Sequence, residues 1–305
     1  MNISMLSQVA SDKNNFLTIA AYRDFARMFL DLWGSGIGIQ AEIIARAKNQ
    51  YVFLQYDQTA DYQVTRPLNK SLMANAGSFD ALFDSLIETL EAVRDHQPLD
   101  DEKRTDVVRA VYTLQQCIGA ALDGLPIGRS NQARKVNGDL FERLMNFLVR
   151  GSGIDCHSGV VRVPVRDDDG TVMFEMQYQH DMLLEVDGDL KMIGSVKTSS
   201  KDRVDKIFID KFLYDRLTGT TVPHVAIFLH DVQRAGKEPN YRVSSTFLPG
   251  HFKAYTVKLN PLDGVFYCDL RPQMLTDPIL RQEVRPIDSF FFDVLPQIAA
   301  RQWPE

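Results

Sequence analysis

The 305 residues carry 34 Lys plus Arg against 40 Asp plus Glu, a formal charge of −6, and 45% are hydrophobic, enough for a packed core and too many for a disordered chain. A length near 300 points to about two domains. The longest apolar runs fall well short of the roughly 18 residues that span a membrane, and residues 1–15 lack the basic-then-apolar order of a secretion signal. Three scattered cysteines, Cys117, Cys156 and Cys268, argue against a disulfide framework and fit a reducing, cytoplasmic setting. The acidic balance alone disfavours a nucleic-acid partner, although net charge describes a whole surface and not one cleft.

Residues 1–125 read as a mostly helical N-terminal region. Phe16, Ile19, Ala20, Phe25, Phe29 and Leu32 fall near helical spacing over residues 15–33, and Gly34-Ser35-Gly36 stops that run. A short helix is expected over 41–47 and a strand over 51–56. A helix over 78–93 has Ser78 as N-cap and Leu82, Leu86 and Leu90 on one face. Another over 101–122 ends at Gly124 and Pro126.

Residues 124–138, with Gly, Pro, Ser and the basic cluster Arg129, Arg134 and Lys135, form the boundary candidate, and 126–305 is read as the second domain. A helix is expected over 139–149, then strands over 160–165, 171–178, 181–186 and 190–197. A helix over 201–217 is capped by Ser199 or Ser200 and stopped by Gly219; the apolar run 222–229 reads as a buried strand. Strands over 241–247 and 264–269 and a helix over 290–301 follow. The pattern is mixed α/β, a central sheet flanked by helices.

The informative stretch runs from His180 to Arg203. Asp187-Gly188-Asp189 is a turn signal between two alternating runs, so they form a hairpin. With those three residues as the loop, Val186 pairs with Leu190 and Asp181 lies opposite Ser195, so Asp181, Ser195 and Lys197 project from one face. An Asp near a Lys on adjacent strands suits metal-dependent phosphodiester hydrolysis. The carboxylate holds Mg²⁺, and the Lys orients a water or stabilises developing charge. Further carboxylates are available in Glu142 on the preceding helix and Asp210 on the following one. Arg203, Ile207 and Asp210 share a helical face. Lys201, Asp202 and Arg203 occupy a first turn suited to phosphates, and Arg and Asp read G and C edges in the major groove.

These residues resemble the PD-(D/E)-x-K nucleases, and within them the type II restriction endonucleases of the EcoRII and NgoMIV kind, enzymes of restriction–modification systems. In that group Ser replaces the acid two before the Lys, as in Ser195-Val196-Lys197, and an acid about 13 positions downstream replaces it, here Asp210. A basic-acidic-Arg triplet begins four residues after the Lys, here Lys201-Asp202-Arg203, and Glu142 matches the helical Glu before the hairpin. Thr246-Phe-Leu-Pro-Gly-His251 and Leu262-Asp-Gly-Val-Phe-Tyr267 are similar to segments after the family's core. The resemblance covers roughly residues 138–269. His180 departs from the family's Pro, and Asp210 stands where many relatives have Glu.

The resemblance implies a restriction-endonuclease-like core, Mg²⁺ as cofactor and double-stranded DNA as partner. It also implies a homodimer, possibly paired into a tetramer, and cleavage 5′ of the C pair at a palindrome with a CC/GG core. Asp181, Asp210 and Glu142 would hold metal, Lys197 would assist the attacking water, and Ser195 would mark the vacated acid position. Lys201, Asp202 and Arg203 would read the core bases, with Arg129, Arg134 and Lys135 as candidate phosphate contacts.

Plainer readings stand beside these. Asp202–Lys206, Lys206–Asp210 and Lys211–Asp215 at i, i+4 also describe a salt-bridged surface helix. Asp139 or Glu185 could be the extra carboxylate in place of Glu142. Cys156-His157 lacks partners at zinc-ligand spacing, and no Gly-rich phosphate loop points to a nucleotide cofactor. Trp33, Tyr56 and Tyr62 are candidates for stacking on an extruded base, with core packing the plainer role. The rival functions are a structure-specific repair nuclease on the same core and a non-catalytic DNA-binding protein.

Overall fold

The computed structural model describes residues 2–46, 48, 50–56, 63–201, 203–237 and 240–301. Its N-terminal third is α1 (Ile3–Ser11), α2 (Ile19–Ser35), β1 (Ile39–Ile44), β2 (Tyr51–Tyr56), β3 (Gln63–Val64), β4 (Leu68–Asn69), α3 (Phe79–Arg94) and α4 (Arg104–Leu122). Thr18 caps α2 by accepting the Ala21 N–H, and Gly36 ends it in the left-handed region at φ 69°. The helix expected over 41–47 is instead β1. Its residues favour helix locally, but β2 offers an edge, and β1 pairs antiparallel with it from Ala41↔Gln55 to Ile44↔Val52. Tertiary pairing outweighs a weak propensity.

Next come α5 (Ser130–Gly151), β5 (Asp155–Arg166), β6 (Val172–Val186), β7 (Asp189–Ser199), α6 (Val204–Thr218), β8 (His224–His230), β9 (Val232–Ala235) and β10 (Arg242–Ser245). The chain closes with α7 (Pro249–Lys258), β11 (Gly264–Tyr267), α8 (Pro272–Thr276), α9 (Leu280–Glu283), β12 (Val284–Pro286), a π turn over Phe290–Val294 and α10 (Leu295–Ala299). The segment read as a boundary is helical from Ser130 onward. Ala133, Val136, Leu140 and Phe141 lie buried along it, and this stripe carries the helix through Gly138. The two runs expected over 171–178 and 181–186 are one strand, β6. Neither Ser199 nor Ser200 caps α6, which begins after Arg203 without a side-chain cap.

The main sheet runs β12-β11-β8-β7-β6-β5. The β5–β6 and β6–β7 pairs are antiparallel; β7–β8, β8–β11 and β11–β12 are parallel. It is a mixed sheet covered on both faces. On β8, Val225, Ile227 and Leu229 join a large core with Phe29 of α2, Leu114 of α4, Phe141 of α5 and Phe290. The alternating Ala226 and Phe228 join Phe208 of α6, Phe252 of α7 and Tyr267. That period of two explains why every residue of β8 is buried.

The β6–β7 hairpin turns on two residues, not three: Val186 pairs with Asp189, and Asp187 and Gly188 take positive φ of 54° and 84°. A bulge at Lys191 then shifts the ladder by one, so Leu184 pairs with Met192 and Met182 with Gly194. The tighter turn and the bulge cancel, and Asp181 comes level with Ser195 as the three-residue reading expects.

All three cysteines are free and buried, and no described helix is long and apolar enough to cross a membrane. Burial also holds two histidines neutral: His224 is pushed down to about 4 and His230 to about 3. Unfolded histidine titrates near 6.5, so below that pH the unfolded chain takes up protons the folded chain refuses. For His224 the loss of stability reaches about 3 kcal/mol by pH 4. His224 Nδ1–H donates to the Val222 carbonyl at 2.8 Å, a bond an Asn amide can replace. Relative to the wild type, His224→Asn is expected to lose less stability between pH 6.5 and pH 4 in urea titrations; parallel curves would refute it.

Candidate functional site

The site forms where β6 leaves β7. Beyond Met182↔Gly194 the two strands no longer pair, and the Asp181 carboxylate bridges the gap by accepting the Val196 N–H at 2.8 Å. Lys197, next on β7, donates from Nζ to Asp181 Oδ2 at 2.5 Å and to Glu142 Oε1 at 2.9 Å. Glu142 projects from α5, so one ammonium joins a helix and two strands. The side chains of Asp181, Glu142 and Lys197 are 13, 28 and 27% exposed, too enclosed for the near-zero worth of a surface ion pair.

Burial and then the Asp181 charge push Glu142 above the usual carboxylate range, and Lys197 offsets only part of this. Burial alone would lower Lys197, but the two carboxylates outweigh it and hold the ammonium above the ordinary lysine range. The pair of carboxylates therefore keeps Lys197 in its ammonium form. Two hard oxygen donors crowded enough to raise one pKa suit a divalent cation, whose charge relieves what Lys197 leaves uncompensated.

Ser195 lies on β7, paired with Ala226 and half-buried. Asp210 ion-pairs with Lys206 at 2.9 Å, one turn back on α6. It also reaches the neighbourhood of His180, whose pKa burial lowers while Asp210 and Asp181 oppose the fall. Lys211 bonds Asp263 at 2.6 Å and the Pro261 carbonyl, not Asp215. Asp139 ion-pairs with Lys13 at 2.7 Å. Glu185 lies with Asp155 and His157, their ligand atoms within 4.8 Å of one another. Strand pairing, not sequence spacing, brings these acidic neighbours to His157, because Asp155 faces Glu185 across β5 and β6.

Lys201 and Arg203 are exposed between the end of β7 and the start of α6, and Lys201 Nζ donates to Gln233 of β9 at 3.2 Å. Asp202 and Tyr62 lie outside the described residues. Arg129, Arg134 and Lys135 are exposed at the start of α5. Lys135 sits seven residues before Glu142, so the two share a face about 10 Å apart along the axis. Trp33 Nε1 donates to Glu42 at 2.6 Å, and Tyr56 is buried with its hydroxyl on the Ala120 carbonyl at 2.7 Å. Sequence reasoning passed over Asn146, one turn beyond Glu142, whose amide bonds the Asp181 backbone. A polar Asn inside an apolar helical stripe was the available signal.

No protein-family model and no curated protein sequence matches the chain. Among solved structures it is similar to the type IIP restriction endonuclease Kpn2I, at 16% identity and a TM-score of 0.67 over 98% of both chains. A complex of the restriction endonuclease PspGI with substrate DNA is more distant, at 11% identity and a TM-score of 0.41 over 73% of this chain and 92% of that one. The chain therefore has a restriction-endonuclease fold along nearly its whole length.

Removing Lys197 leaves two facing carboxylates. Lys197→Met is expected to cost roughly 1–3 kcal/mol at pH 8 without divalent metal. Its Glu142 pKa rises further, so the cost is present above that pKa and recedes as acid protonates the group. Urea titrations at pH 8 and pH 5 check this. An equal deficit at both would show that the carboxylates do not sense each other.

Proposed function

We propose that the chain is a type II restriction endonuclease, a Mg²⁺-dependent enzyme that cuts both strands of a palindromic site with a CC/GG core, 5′ of the C pair. The observation that carries this reading is the Lys197 ammonium clasped between Asp181 and Glu142 where the strands part, in a fold shared end to end with Kpn2I.

Asp181 and Glu142, with Asp210 from α6, would hold Mg²⁺. When bound, the ion supplies Lewis acidity toward a scissile phosphate and lowers the pKa of a water. The chain's own residues do the rest. Lys197 keeps its proton at Nζ and donates it as a hydrogen bond toward the attacking water or the developing phosphorane oxygens. The Val196 N–H fixes the Asp181 carboxylate. Ser195, at the vacated acid position, leaves the third carboxylate to come from α6.

Lys201, Asp202 and Arg203 read the core bases from the major groove, and Arg129, Arg134 and Lys135 contact phosphates along α5. A palindrome is matched by a two-fold homodimer, open to pairing into tetramers. In the proposed division, residues 1–125 supply dimer or flanking-DNA contacts and 126–305 the chemistry and readout.

Digestion of a sequenced plasmid with Mg²⁺, followed by mapping of the ends, is expected to give one recurring CC/GG palindrome with 5′ overhangs; ends scattered over sequence would refute it. Asp181→Ala and Lys197→Ala are expected to abolish cleavage while keeping site-specific binding in Ca²⁺. Asp210→Ala is expected to be nearly as damaging, and a mild loss would return Asp210 to a surface role beside Lys206. Arg203→Ala is expected to lose roughly 1–3 kcal/mol of base discrimination.

A further inference from the structure

Asp181 stands at a break in the sheet on both sides. Toward β5 the ladder steps from Gly159↔His180 to His157↔Leu183, and toward β7 it ends at Met182↔Gly194, so Asp181 belongs to neither ladder. A buried backbone carbonyl without a ladder partner needs another donor. Asn146 of α5 supplies it: Nδ2 donates to the Asp181 carbonyl at 2.9 Å and to the Glu142 carbonyl at 2.8 Å. Its Oδ1 accepts from Cys156 Sγ of β5 at 3.3 Å, and the side chain is buried, with the residue 5% exposed.

We propose that Asn146 is a positioning residue that ties the backbone bearing Asp181 to the helical turn bearing Glu142, and so sets the affinity of that carboxylate pair for a divalent cation. The proposal rests on reading Asp181 and Glu142 as a metal-binding pair. One amide spends both donors on the backbones of the two carboxylate residues and its acceptor on the neighbouring strand. An Asp would keep the shape but lose both donors and add a negative charge. An Ala would remove the amide donor from the Asp181 carbonyl and with it the tie between α5 and β6. Asn is a poor residue for a helix interior, because its side chain competes for backbone groups. Here that habit is turned outward to a second element.

The test measures Mn²⁺ binding by calorimetry in a His157→Ala background, which removes the separate Asp155–His157–Glu185 group as a competitor. Asn146→Ala is expected to weaken Mn²⁺ binding about 10–100-fold, the usual effect of losing a group that orients a ligand. The Mg²⁺ concentration for half-maximal cleavage should rise in step, with KM for DNA unchanged. Cys156→Ala is the structural control: it loses the bond to Oδ1 but keeps both Asn146 donors, so it should lower the melting temperature and leave Mn²⁺ affinity within about twofold of the parent. If Asn146→Ala does not fold, the neutral Asn146→Ser replaces it, with the same weakening of Mn²⁺ binding expected. Should Asn146→Ala also lose only stability, as Cys156→Ala does, Asn146 merely supports the fold and the metal reading of the pair stands. A parent protein that binds no Mn²⁺ overturns both.

Discussion

Two carboxylates and one ammonium meet at the point where β6 and β7 part, and the rest of the chain serves to keep them there. Asp181 and Glu142 are like charges brought from different elements, and without Lys197 each would be stabilised by moving away from the other. Lys197 draws them together, but one ammonium faces two carboxylates, so a negative charge is left over; burial first and the Asp181 charge second push the Glu142 pKa up. The cluster is therefore stable enough to persist in the folded protein and still short of positive charge. That residual deficit is what a hard divalent cation would meet.

Holding this arrangement requires a sheet that stops pairing at one point without losing its backbone hydrogen bonds. The Asp181 carboxylate takes the Val196 N–H and Asn146 takes the Asp181 carbonyl. The parallel strands β7, β8 and β11, packed on both faces, give the break a rigid frame. The N-terminal helices enter the same large core as α5, so the helix that carries Glu142 is braced from the side away from the sheet. The formal charge of −6 is unevenly placed on the molecule. Asp181, Asp231 and Asp269 are enclosed, whereas Lys201 and Arg203 are exposed together beside α6. Whole-chain charge thus bears on solubility and says little about that one edge.

Much of this was legible in the residues. Alternating apolar runs around Asp187-Gly188 marked the hairpin, and counting outward from the turn placed Asp181 level with Ser195, two residues before Lys197. That level came from two local errors that cancelled, a turn one residue shorter and a bulge at Lys191. A two-residue turn of type I′ needs positive φ at both positions, and Asp187 adopts it beside Gly188 where the sequence suggested a three-residue loop. The helix expected over 41–47 failed because an edge strand was waiting to pair with it, and the helix expected from 139 begins already at Ser130 because the apolar stripe runs through Gly138.

The sequence by itself determined the alternating strands, the amphipathic helices and the chemical types within reach: an Asp, a Lys and several spare carboxylates. Local spacing carries that information because period and turn chemistry are properties of neighbours in the chain. Which spare carboxylate meets the Lys was decided only by tertiary structure. Glu142 reaches it, Asp139 is held by Lys13, and Glu185 is drawn to Asp155 and His157. Those choices depend on how α5 lies across the sheet and where the ladders break. Such contacts join residues tens of positions apart, so no window of sequence contains them.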